Sequence, residues 1–222
     1  MHDTALPTAT APPSAAPGRW LLAGISFAGM FIGGLILSMV LGSRTFPSPY
    51  ETQAAITGYF AASGSAVLGL GLLHTLAAIP LTIFTTALAR ALPDALPRTV
   101  VQHAGVIAAV FLLISAMCDI ALVSGGGLTG EALRALHLLT FLSGGSIHVL
   151  FLGILVGAGT IGLAGAAPRA LTLLGAISGV VSLASVASLI ATPVAFLLPL
   201  GRFTALAWII AAALWLARRR ST

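Results

Sequence analysis

From Trp20 to Ala217 the sequence is a succession of apolar runs separated by short segments rich in Pro, Gly, Ser and Arg. A helix needs about 20 largely apolar residues to cross the hydrocarbon of a bilayer. Six runs meet that demand, near residues 20–41, 59–88, 99–123, 132–157, 170–190 and 200–217. Backbone amides cannot be left unpaired in lipid, so runs of this length predict an all-α integral membrane protein, a bundle of about six transmembrane helices. Composition points the same way: 58% of the residues are hydrophobic and 7% charged. A water-facing domain carries about a quarter of its residues as Asp, Glu, Lys or Arg, so lipid is the solvent for most of this chain.

The 222 residues suit one compact bundle with little left for a second domain. Residues 19–217 form the expected transmembrane domain, preceded by a Pro/Ala-rich tail over 1–18 and followed by a basic cytoplasmic tail over 218–222. The tail lacks hydrophobic periodicity and is read as disordered. The first apolar run starts too late for a signal peptide and is read as a retained helix. Pro80 lies inside the second run and is expected to bend it. The sixth run is the hardest to delimit, because Pro193, Pro199, Gly201 and Arg202 crowd its beginning.

The net charge of +5 comes from ten basic residues, all arginine, against five acids. Placed inside, the amino terminus puts Arg19, Arg90, Arg98, Arg169 and the terminal Arg218, Arg219 and Arg220 on the cytoplasmic face, seven in all. Only three, Arg44, Arg134 and Arg202, then lie outside, so the positive-inside rule places both termini in the cytoplasm of a cell whose inner membrane holds the chain. Basic residues at helix ends are a topology signal, and no nucleic-acid partner is expected. The partners expected are membrane lipids and a second copy or another membrane protein. Cys118, the only cysteine, stands in an apolar run and excludes an internal disulfide.

Pairs of glycines four apart, Gly29/Gly33, Gly153/Gly157 and Gly175/Gly179, mark stripes where helices approach closely. Ionisable groups at membrane depth are the best functional clues, since their burial is costly unless they are paired or wet. These are His74, His103, Asp119, His137 and His148, with Glu131, Arg134 and Arg202 near the outer interface. Asp119 ends one run and His137 begins the next, so the hairpin through SGGG brings their depths together. Arg134 is one turn above His137, and the preferred candidate site is Asp119, Arg134 and His137. His74 and His148 share a deeper layer as a secondary pair. A structural reading satisfies the same residues: each histidine donates to a neighbouring helix carbonyl or serine.

His137 and His148 are 11 residues apart, within about 20° on an α-helical wheel but roughly 16 Å apart along it, so they cannot share a metal. His74 and His148 would supply two axial ligands, but no further pattern asks for haem, and neither cofactor nor metal is expected. Phosphate-binding, HExxH and GxSxG motifs are missing, and no catalytic residue is assigned. Three functional classes remain: a small transport or sensing component with an outer polar site, a noncatalytic scaffold or assembly partner, and a membrane-embedded enzyme acting on a lipid or isoprenoid.

PRALTLLGAISGVVSLAS from Pro168, FLLPLGRFTALAW from Phe196, WLARRR from Trp215 and the early GRWLLAGISFAGMFIGG together resemble an uncharacterised family of multi-pass bacterial membrane proteins, most strongly over residues 168–220. The resemblance implies the fold and carries no activity.

Overall fold

The computed structural model describes residues 18–125, 128, 130–190 and 194–219. The expected tail through residue 17, Pro193 and the last three residues lie outside these. The described residues form helices α1 (Gly18–Leu21), α2 (Ala23–Leu41), α3 (Gln53–Ala62), α4 (Gly64–Ala91), α5 (Ala95–Ser124), α6 (Gly130–Thr140), α7 (His148–Gly162), α8 (Arg169–Ala184) and α9 (Leu197–Arg219). A π-helical segment, Phe141–Ile147, joins α6 to α7, and a 3₁₀ turn, Ser185–Leu189, follows α8. Six helical stretches among the described residues are long and apolar enough to cross a membrane: Arg19–Leu41, Gly64–Ala91, Ala95–Ser124, Gly130–Gly162, Arg169–Leu189 and Leu197–Arg219. The protein is an all-α bundle of the transmembrane kind.

The spans pack in chain order, α2 on α4, α4 on α5, α5 on α7, α7 on α8 and α8 on α9, and α9 closes the ring on α2. Trp208 of α9 is wholly buried in the resulting core beside Leu88, Leu152 and Leu155. One end of the bundle, the terminal end, gathers the α1 start, the α4–α5 and α7–α8 turns and the end of α9. There Arg19 lies over Trp20 at 5.0 Å and Arg219 over Trp215 at 4.6 Å. Such aromatic and basic pairs suit a headgroup layer. The opposite end carries the longer loops and is called the loop end below.

The expected helix over residues 59–88 is two helices. Thr52 caps α3 by accepting from the amide of Ala55 at 3.3 Å, and the helix stops at Ser63. Ser63 sits at φ −121° and its hydroxyl engages the amide and hydroxyl of Ser43 at 3.0 and 2.7 Å. That side-chain bond, with Gly64 next in sequence, supports a break where the apolar pattern runs on. Pro80 lies inside continuous α4. At the other end Arg98 donates to the carbonyls of Leu92 and Pro93, at 2.8 and 3.1 Å, and so completes the turn after α4.

Glycines set the close approaches. A Cβ on Gly153 would stand 2.5 Å from Cβ of Ser182, and one on Gly179 would stand 3.4 Å from Cα of Gly157, so α7 and α8 meet backbone to backbone. Gly29 and Gly33 have nothing within 4 Å of a built Cβ among the described residues, so that stripe is not a close approach between described helices.

Candidate functional site

Asp119 lies on α5 five residues before its end at Ser124, with Ser115 one turn earlier. It is 2% exposed, and among the described residues Oδ1 makes no hydrogen bond and the carboxyl is in no ion pair. The expected partners are elsewhere. On α6 the buried face is Leu133, His137 and Thr140, spaced four and three apart, and Arg134 falls outside it and is exposed. His137 is fully buried in an aromatic nest, 5.5 Å from the ring of Phe46 and 5.3 Å from that of Phe60. Its ring faces the backbone of Pro47 and Ser48 in the α2–α3 loop without a well-aligned hydrogen bond. Asp119, Arg134 and His137 therefore do not form one cluster. Glu131 and His103 are also exposed.

His74 and His148 are both buried and both stack on Phe31, with ring centroids at 4.4 and 6.1 Å. Nε2 of His74 is 3.3 Å from the Phe31 carbonyl, and Nδ1 of His148 is 2.8 Å from that of Ala108. The two are linked through an aromatic ring, each tied to its own helix carbonyl. Among the described residues no group of three or more His, Cys, Asp or Glu side chains is arranged to hold a metal ion.

The third member of this layer is Arg202, five residues into α9. Its guanidinium lies over Phe31 at 5.2 Å, its Nη2 donates to the carbonyl of Gly144, and its buried Nε makes no hydrogen bond. The Gly144 carbonyl belongs to the π segment FLSGGSI. Two further side chains serve carbonyls in this stretch: Ser115 of α5 donates to Thr140 at 3.1 Å, and Ser143 donates to Leu139 at 2.6 Å. Inserted donors of this kind are a recognised cause of helix irregularity, and π segments recur at functional sites. Gly144 is required by packing, since a Cβ there would stand 2.7 Å from Cβ of Ser115.

These pieces border one partly open cavity of about 440 Å³ toward the loop end. Its polar wall includes Asp119, Ser115, Thr140, His74, Arg202 and Ser38; leucines and phenylalanines make up much of the remainder. The hydroxyl of Thr140 is buried beside Cys118. Arg44, Thr45 and Phe46 bring the α2–α3 loop to the cavity as well. Arg44 is held there by Glu51 at 3.1 Å and by the carbonyl of Ala55 at 2.7 Å. The Ser48 amide and then the Arg44 guanidinium hold the Glu51 carboxyl below its ordinary value. Phe46 touches both the cavity and the nest around His137, so this loop links the two.

Volume and lining suit a small ligand: such sites are mostly apolar with a few placed polar groups. Two of those groups are ionisable, the base Arg202 and the acid Asp119, and among the described residues they form no ion pair with one another. Sequence reading located Asp119 and the histidine layer but placed Arg202 at the interface and passed over Ser115, Thr140 and Phe31. The signals were SGGS in an apolar helix and the four-residue spacing of Ser115 and Asp119. Comparison of the chain with protein-family models, with curated proteins and with solved structures finds no match in any of the three, so what is established is a multi-pass, largely helical membrane protein with no detectable family.

Proposed function

We propose that this protein is a small transport or sensing component that binds a small solute or lipid-derived molecule in the cavity between α2, α4, α5, the π segment and α9. The observation that carries this reading is a pair of ionisable side chains with no ion-pair partner among the described residues, Asp119 and Arg202, on the wall of one mostly apolar cavity. A scaffold has no use for ionisable groups at this depth, where each is costly to hold. The bundle sits in the inner membrane with both termini cytoplasmic, a reading supported by the arginine bias and by the Arg19–Trp20 and Arg219–Trp215 pairs at the terminal end.

Native mass spectrometry of the purified chain, released from nonionic micelles, tests the reading. The wild type should carry small-molecule adducts that Asp119→Asn and Arg202→Gln lose and that Arg134→Ala, on the exposed face, keeps. The same adduct pattern in all four proteins, or none in any, would remove this function and favour the scaffold.

A further inference from the structure

We infer that the cavity is built for a zwitterion: a molecule with an ammonium and an acidic oxygen group a few bonds apart on an apolar body. This rests on the reading of the cavity as a ligand site. Four ionisable groups line it: Arg44, His74, Asp119 and Arg202. Arg44 is already neutralised by Glu51, and His74 is engaged with the Phe31 carbonyl. One base and one acid are left, each with a buried atom that no group among the described residues satisfies, Nε of Arg202 and Oδ1 of Asp119.

A simple anion would serve Arg202 and leave Asp119 without a partner. A simple cation would do the reverse. A zwitterion gives an acceptor to the guanidinium and a donor to the carboxylate, and it enters low-dielectric surroundings without net charge. Asp119 and Arg202 form no ion pair among the described residues, and both line the cavity, so a molecule lying in it can meet both. Leu35, Leu70, Leu112 and Leu198 supply the apolar surroundings for its body. Two sources carry this chemistry: a free apolar amino acid and the ethanolamine headgroup of a lipid.

Binding to the full-length chain in nonionic micelles distinguishes them by matched probes. One set is leucine, 4-methylpentanoate, which lacks the ammonium, and 3-methylbutylamine, which lacks the carboxylate. The other is a short-chain lysophosphatidylethanolamine against the lysophosphatidate of the same chain. At least one zwitterion should bind about tenfold or more tighter than its matched anion and, for leucine, its matched amine, the penalty for leaving one buried group unserved. The set that shows this preference names the source. Asp119→Asn should abolish the preference for zwitterion over anion, while Arg202→Lys should weaken both. Equal binding of a zwitterion and its matched anion overturns the inference and leaves the ligand site standing. The same follows if no probe binds while adducts are retained in native mass spectra. If no probe binds and no adduct is retained, both readings fall. The comparison of probes on the wild type decides the matter even where a variant does not fold.

Discussion

Gly201→Ala is the sharpest test of how this bundle is held together. Gly201 is buried on α9 against α8, where a built Cβ would stand 2.9 Å from both Cα and Oγ of Ser182 and 3.2 Å from its amide nitrogen. Carbon atoms pack best at about 3.5–4.0 Å, so the added methyl intrudes by more than half an ångström on atoms of which two are backbone and cannot rotate away. Ser182 has no room to retreat, because its Cβ already lies against the backbone of Gly153 on α7. Separating α8 from α9 also strains the bond from the Ser182 hydroxyl to the Gly201 carbonyl, 3.2 Å long. Overpacking of this kind costs about 1–3 kcal/mol and the weakened bond about 1 kcal/mol more. Against these stands a gain of nearly 1 kcal/mol from replacing glycine inside a helix. The net expectation is a loss of about 1–3 kcal/mol. Gly33→Ala is the control: nothing lies within 4 Å of its built Cβ, so only the helix gain remains. Unfolding in mixed micelles of rising dodecyl sulfate content, followed by tryptophan fluorescence, measures both. A Gly201→Ala protein as stable as Gly33→Ala would refute the claim that α8 and α9 meet at their backbones.

Trp208, wholly buried in the core, should cost about 3–5 kcal/mol when cut to alanine and far less when replaced by phenylalanine, read in the same unfolding assay. His137→Phe should cost about 1 kcal/mol, since the imidazole faces the backbone of Pro47 and Ser48 as well as the rings of Phe46 and Phe60; a neutral or stabilising change would show that the loop backbone gives it no partner. Because Glu51 is held below its ordinary value in the folded chain, its contribution to loop order is complete above the usual carboxylate range and disappears as the pH falls through the lowered value. Limited proteolysis of the α2–α3 loop should therefore quicken on acidification, and Glu51→Gln should cleave fast at every pH. A wild-type rate that does not change with pH would count against the Arg44–Glu51 clasp.

The number of spans was legible because a bilayer imposes a length that six apolar runs meet in turn. Depth was legible only in part: Asp119 lies five residues from the loop end of α5, near where its apolar run put it, whereas Arg202, expected at the interface, lies five residues into α9 because that helix begins at Leu197. Azimuth was not. Arg134 and His137 are three residues apart and were expected to cooperate, yet one is exposed and the other wholly buried, because the buried face of α6 is narrow. Which face turns inward is fixed by where glycines admit a neighbour, as Gly144 admits Ser115 and Gly201 admits Ser182. That depends on partner helices distant in sequence. The break at Ser63 was hidden for a similar reason, since it is held by Ser43, 20 residues away.

The π segment between α6 and α7 means that the fourth span does not carry one continuous helical phase. On a regular helix His137 and His148 would look the same way, but the wider winding of Phe141–Ile147 intervenes, and they enter unrelated surroundings, the nest of Phe46 and Phe60 and the stack on Phe31. The span behaves as two half-rods joined by a coupling that sets their relative rotation. A single-residue deletion within SGGS would re-clock one half against the other, turning every side chain of one half to a new neighbour while leaving its composition intact.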